Sequence, residues 1–425
     1  MASKLQIRWL WGVLILFSLW SSGCATPLYT GAIFQGQTLP AAADPAEVTS
    51  PSLAELGTNR LLFIGSDGNV YSADPDGQRV LALTQDASPT RLYSQPTWSP
   101  AGERIAWTRL DDEKSGHLVV SRADGTVESD TELPFPPFYY AWNSRGDRLA
   151  YLSNWTIRES PTLALRLLDM TASQPVLSTL ATGQPLYFSW SPTGDFLLTH
   201  TGNAEVGIAS VQGRSTVLSR RSGNFAAPQW LADPTLLAYA VMDGAEQQMV
   251  IANLASGQVE NLISFSGALA FSVSPDGHKM AYTDSEGGQG MNSFGPLLVL
   301  DVRSAEFRQL SSQPVIAFFW SPDSSSIFYM SAEQRSGGIG MRLFVWNGTQ
   351  KVDLGRYQPS ATLINQYLRF ADQYGQSASY WSPDSTRVLF AGRNESGESG
   401  VWVIPADGSP AQRVARGVYA TWTRR

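Results

Sequence analysis

Few residues of this chain have the types and spacing that chemistry needs. It holds three histidines and one cysteine among 425 residues. His117 lies in an apolar strand-like run, His200 ends another, and His278 sits in a turn. Nothing in that spacing makes them converge, so no multi-histidine metal centre is expected. Asp74-Pro75-Asp76-Gly77 has the acidity of a calcium loop but lacks the alternating oxygen ligands and the closing Glu about twelve residues along. It reads as a hairpin turn. No Gly-x-Ser-x-Gly nucleophile elbow is present. What remains for catalysis is a pair of carboxylates, Glu333 and Glu395, in two polar loops. No metal and no cofactor is expected, and a single cysteine allows no internal disulfide framework.

Those loops belong to a repeat. Trp98-Ser99-Pro100-Ala101-Gly102-Glu103-Arg104-Ile105-Ala106-Trp107 and Trp381-Ser382-Pro383-Asp384-Ser385-Thr386-Arg387-Val388-Leu389-Phe390 are two copies of one phrase. An aromatic ends a strand, a tight turn of Ser-Pro-Asp-Gly type follows, and an apolar triplet starts the next strand. Pro presets φ at the second position of a type I turn, and Gly takes the positive φ that brings the chain back. The anchors Trp98, Trp142, Trp190, Trp230, Val273, Trp320, Trp381 and Trp422 are 44, 48, 40, 43, 47, 61 and 41 residues apart. A period in the forties with four strand-sized segments predicts propeller blades, small antiparallel sheets that bury their faces against one another. Residues 60–84 read as a unit without its first strand, and residues 418–422 as a first strand without a unit. Pairing the two closes an all-β, eight-bladed β-propeller. Seven blades is the alternative if the Val273 unit or the long sixth interval is no true blade.

The phrase resembles the repeat of TolB-type propellers, found also in the propellers of prolyl oligopeptidase relatives, and the resemblance covers roughly residues 59–425. It implies the fold. It implies little about function, because the shared residues are turn and packing positions and such propellers serve as scaffolds, gates and enzymes.

Residues 1–23 read as a signal peptide. Lys4 and Arg8 precede a twelve-residue apolar stretch from Trp9 to Trp20, too short for a bilayer core of about 30 Å. Ser21-Ser22-Gly23-Cys24 resembles the processing site of a bacterial lipoprotein, so Cys24 is the expected lipidation site and the body is expected outside the cytoplasm, attached to the membrane through lipid. Residues 24–57 carry Pro40, Pro45 and Pro51 among small and polar residues and read as a flexible linker. Residues 58–425 form the propeller. The net charge of −7 becomes −9 once Lys4 and Arg8 are removed, since the signal contains no acid. That argues against nucleic acid, whose phosphates call for a basic face. A monomer is expected.

Departures from a repeat are where function enters. The Ser-Pro-Asp-Gly turns are short and uniform, whereas the loops of the opposite side are long and varied. The 61-residue interval adds a helical pattern: Leu363, Ile364, Tyr367, Leu368, Ala371 and Tyr374 recur within residues 362–374, stopped by Gly375. Its apolar face either covers itself against the ring or serves as a lid or docking helix. Trp155, Arg158, Arg335, Tyr367 and Arg393 are the expected binding residues, being of the types that most often carry interface energy. Two functions of different class follow. One is a non-catalytic scaffold that binds a protein, peptide or glycan through the long-loop face; the alternative is a hydrolase or lyase at the mouth of the channel.

Overall fold

The computed structural model describes residues 59–424 except 112–114, 173, 286–294 and 336–337, and does not describe the side chains of residues 115, 334–335 and 338–339. The expected signal, Cys24 and the linker lie outside the described residues. Among these residues no helix is long and apolar enough to cross a membrane.

Among the described residues the fold is all-β with one short helical segment. Inner strands bury both faces: in Arg148–Ile157, the run Leu149-Ala150-Tyr151-Leu152 is wholly buried. Such strands read as continuous apolar runs because a sheet packs on each side of them. The outermost strands meet solvent, and Val127–Leu133 buries only two of its seven residues.

Seven antiparallel sheets hold the described strands. Five are built from four consecutive strands each and begin at Arg91–Trp98, Pro137–Trp142, Leu186–Trp190, Gln229–Trp230 and Leu269–Val273. The Val273 unit is thus a sheet like its neighbours. A sixth joins the two ends of the described chain. Leu81–Ala82, Val70–Ala73 and Leu61–Gly65 are completed by Gly417–Trp422, with Leu61 opposite Trp422 and Ile64 opposite Tyr419. The seventh has seven strands in two sets. Val315–Trp320, Ile327–Arg335, Gly338–Trp346 and Lys351–Pro359 form one; Arg387–Asn394, Ser399–Pro405 and Gln412–Ala415 form the other. They are stitched only where Tyr357, Gln358 and Pro359 face Asn394, Arg393 and Gly392. In the second set the first strand shrinks to a bridge between Trp381 and Val388.

The repeated phrase ties sheets together at two levels. At the turn, Ser274 Oγ donates to Asp276 (2.6 Å) and accepts from the Lys279 N–H (2.9 Å). Gly277 has φ +76°, whereas Ser324 (+62°) and Ser385 (+59°) hold the same left-handed position without being glycine. That conformation is costly for a residue with a Cβ, but each hydroxyl accepts a bond from the preceding turn: Asp276 N–H to Ser324 Oγ at 3.0 Å and Asp323 N–H to Ser385 Oγ at 3.2 Å. Above the turn, indole N–H groups reach across to the previous sheet. Trp190 donates to Ala141 O, Trp320 to Ser272 O and Trp381 to Phe319 O, all at 2.9 Å, and Trp230 to Ser189 O at 3.3 Å. Each acceptor immediately precedes the anchor of the preceding unit. Val273 has no indole to offer, and Gln229 bridges instead, donating to Phe271 O (2.8 Å) and accepting from Val273 N–H (2.9 Å).

Candidate functional site: a helical insertion and the cavity beside it

The insertion expected at residues 362–374 packs among the first strands of several sheets. It is wound irregularly. Bonds of the wide, i to i+5 kind run through Leu363–Tyr367, a tight turn covers Leu368–Phe370, and one α-turn follows at Ala371–Tyr374. Phe370, at φ −133° and ψ 42°, leaves helical geometry and sets the break.

Side-chain bonding to the surrounding strands accounts for the irregular path. Gln373, 2% exposed, presents its amide to Phe188 as a neighbouring strand would: Oε1 accepts from the Phe188 N–H (3.0 Å) and Nε2 donates to the Phe188 carbonyl (2.7 Å). Tyr139 Oη donates to the Gln373 carbonyl at 3.0 Å. Tyr374 Oη donates to the Phe138 carbonyl and accepts from Gln95 Nε2, the latter at 3.0 Å. At the upstream end Ser360 Oγ donates to the Val418 carbonyl, and downstream Trp422 N–H donates to Ser379 O at 2.8 Å. Gly375 fits closely where the chain turns: a Cβ there would sit 3.0 Å from Ala371 O and 3.4 Å from the Phe319 ring.

One face of the insertion is apolar and closed. Leu363, Tyr367, Leu368 and Tyr374 belong to the largest core cluster, with Tyr139, Phe188, Tyr380 and Tyr419. Tyr367 stacks on Tyr419 at 3.8 Å and 12°. Arg369, Asp372 and Gln376 border a cavity of about 390 Å³. Its opposite wall comes from Gln229, Phe271 and Phe319, and it reaches the turn prolines Pro275 and Pro322 and the Arg424 side chain. The site therefore extends to the side of the short turns.

Charge in this cavity is unevenly compensated. Burial pushes the Asp372 carboxyl up to about 6, against hydrogen bonds from its own N–H and those of Gln373 and Ala227. No ion pair reaches it among the described residues. Arg424, exposed in the last described residues, donates to the Gln376 carbonyl. The Gln376 Nε2 amide is buried without a hydrogen-bond partner, which costs free energy unless something fills the role.

The structure disperses the residues expected to bind. Tyr367 is 1% exposed, so it is core and is corrected as a contact residue. The helical period was legible; which way its apolar face pointed was not. Trp155 is half-buried, edge-on to Phe135 at 5.6 Å with the Arg166 guanidinium 5.0 Å from its ring centre. Arg158 is exposed in the tight turn between Arg148–Ile157 and Ser160–Asp169, at φ +47°. Arg393 is exposed in a different sheet, on Arg387–Asn394. The Arg335 backbone faces Gly338, and its side chain lies outside the described ones.

The carboxylate pair is brought together, though around a cation. Arg356 lies 2.9 Å from Glu333 and 3.6 Å from Glu395. Asp74 is engaged likewise, 2.6 Å from both Arg60 and Arg79. Among the histidines, His117 meets Asp130 at 2.7 Å. His200 stacks on Phe225 at 4.2 Å, and burial lowers its pKa, partly opposed by its bond to the Ala226 carbonyl. No group of three or more metal-ligating side chains gathers among the described residues.

No family model and no curated protein matches the chain. Solved structures do resemble it. A eukaryotic initiation factor matches with a TM-score of 0.53 at 12% identity, over 87% of this chain and 99% of that one. An oligogalacturonate lyase in complex with manganese gives 0.47 at 16% identity, over 67% and 85%. TolB from Acinetobacter baumannii gives 0.38 at 16%, over 74% and 84%. The likeness is one of fold, the β-propeller, and at such identities it extends to nothing further.

Proposed function

We propose that this protein is a non-catalytic binding scaffold, held outside the cytoplasm by lipid on Cys24, whose partner docks on the long-loop face. The partner is a protein, peptide or glycan. The scaffold is an eight-bladed ring of TolB type: six four-stranded sheets and the two sets of the seven-stranded one, closed by Gly417–Trp422 against Leu61–Gly65. The observation that carries the reading is the insertion. Strands tied together through Gln373, Tyr367 and Tyr374 make a rigid hub, and a rigid hub leaves recognition to the loops it positions. The shared Arg356 supports the same reading, because carboxylates that flank one guanidinium are matched to a charge already present.

Alanine at Arg158 or Arg393 is expected to weaken partner binding by roughly tenfold or more without moving the melt, since truncating an interface arginine at a hot spot costs about 2 kcal/mol or more and both are exposed. Trp155→Ala is expected to do the same with a small loss of stability, because it also removes the packing on Phe135. Asp276→Ala or Asp323→Ala should lower the melting temperature and leave affinity alone. The reverse pattern, in titrations against the purified partner, would place the interface on the short-turn side.

A further inference from the structure

The cavity beside the insertion has the make-up of a small-molecule site distinct from the long-loop face. Its volume, about 390 Å³, lies in the range of small-ligand pockets, which combine apolar walls with a few convergent polar groups. Here the walls include Phe271, Phe319 and Tyr380, and the polar groups include Asp372, Gln376 and the exposed Arg369 and Arg424. Asp372 stands in the helical turn that ends the insertion, and Gln376 follows just beyond it. Their needs are opposite in sign. The Asp372 carboxyl is held by backbone N–H groups and by no cation among the described residues. The Gln376 amide lacks an acceptor, and the Arg424 guanidinium next to it is bonded to the neutral Gln376 carbonyl.

We infer that this cavity binds a small zwitterion with an apolar side chain, a free amino acid of about the size of phenylalanine, with its ammonium on Asp372 and its carboxylate on Arg424 and the Gln376 amide. One such ligand supplies the cation that Asp372 lacks and the acceptor that Gln376 lacks, and lays its side chain on the aromatic wall. A neutral or singly charged molecule of the same shape leaves one of these groups unsatisfied, and charge-assisted hydrogen bonds are the stronger ones in such a site.

The test is calorimetric titration of the full chain with L-phenylalanine, 3-phenylpropionate and phenethylamine. L-phenylalanine is expected to bind about tenfold tighter than either analogue, the discrimination that one charge-assisted bond supplies. In Asp372→Asn the advantage over 3-phenylpropionate disappears; in Arg424→Gln the advantage over phenethylamine disappears. At pH 6 binding to the wild type is expected to release protons, read from buffers of different ionisation heat, because the ligand ammonium forces Asp372 to ionise. Asp372→Asn releases none. Equal affinities for the three compounds in the wild type, or unchanged L-phenylalanine binding and proton release in Asp372→Asn, would overturn the inference. The ranking and proton release need only the wild type, so they decide the matter even if a variant folds poorly. Partner binding at Arg158 and Arg393 is a separate readout on a separate face.

Discussion

Replacing Trp422 with alanine is expected to cost about 3–5 kcal/mol of stability, the range for truncating a large aromatic in a packed core, and removing residues 417–425 to abolish soluble folded protein. Trp422 is 1% exposed, packed with Leu61, Phe63, Leu389 and Val401, and its indole donates to Asn59 Oδ1 at 2.6 Å. The strand it ends completes a sheet begun more than three hundred residues earlier. Around it the two ends of the described chain exchange backbone bonds: Arg60 N–H to Thr423 Oγ1 at 3.1 Å, and Thr423 N–H to Arg60 O at 3.0 Å. Arg60 itself is buried, with Asp74 at 2.6 Å and Ser72 at 3.0 Å fixing its guanidinium. Without the last strand, Leu61–Gly65 becomes an open apolar edge, which invites aggregation. Urea denaturation of Trp422→Ala supplies the number. A loss below about 1 kcal/mol, far under the core range, would mean that the end segments do not meet in solution.

Asp372→Asn is expected to be more stable than the wild type at pH 7.5, by up to about 3 kcal/mol, and to lose that advantage by pH 4. That figure is a ceiling, set by a carboxyl pushed from 3.8 to about 6 at about 1.4 kcal/mol per unit; Asp372 is half-buried, and solvent screening lowers the value. The sign follows from which form the fold prefers. Burial favours the neutral acid, so the contribution of Asp372 to stability is fully present below 3.8 and is lost as pH rises through 6. Asparagine keeps an oxygen for the Gln373 and Ala227 N–H groups and never ionises. Other carboxylates act in the opposite sense. At Asp323 burial pushes the pKa up, yet hydrogen bonds from Ser321 and Ser325 outweigh it and leave the group below its ordinary value. Such terms cancel when variant and wild type are compared at each pH. A difference in urea midpoint that stays flat from pH 4 to 8 would show Asp372 to be solvated.

Much of this architecture is legible in the sequence because its determinants are local. A Ser-Pro-Asp-Gly turn between two apolar runs specifies a hairpin wherever it stands, and the half-units near Leu61 and Tyr419 declare each other by what each lacks. The helical period of residues 362–374 is legible for the same reason. The site is not, because its determinants are long-range. Gln373 is an ordinary polar residue in the sequence, and only the carbonyl and N–H of Phe188, 185 positions away, make it a strand substitute. Tyr367 reads as an interface aromatic until Tyr419 is found stacked on it. Asp372 carries no local signal, since its shifted carboxyl reflects the mass of protein around it. The Trp anchors are packing positions in the sequence pattern, and their indole bonds to the preceding sheet give the period a second physical cause.

The claim on which the account rests is that the insertion packs against Gly417–Trp422, the strand that completes the sheet of Leu61–Gly65. A double-mutant cycle on Tyr367 and Tyr419 tests it most directly, by urea denaturation of the wild type, Tyr367→Ala, Tyr419→Ala and the double variant. Rings stacked at 3.8 Å predict a coupling of about 0.5–1.5 kcal/mol, with the double variant losing less than the sum of the two singles. Additive losses, within about 0.3 kcal/mol, would contradict the account and put the insertion somewhere other than against the strand that joins the chain's two ends.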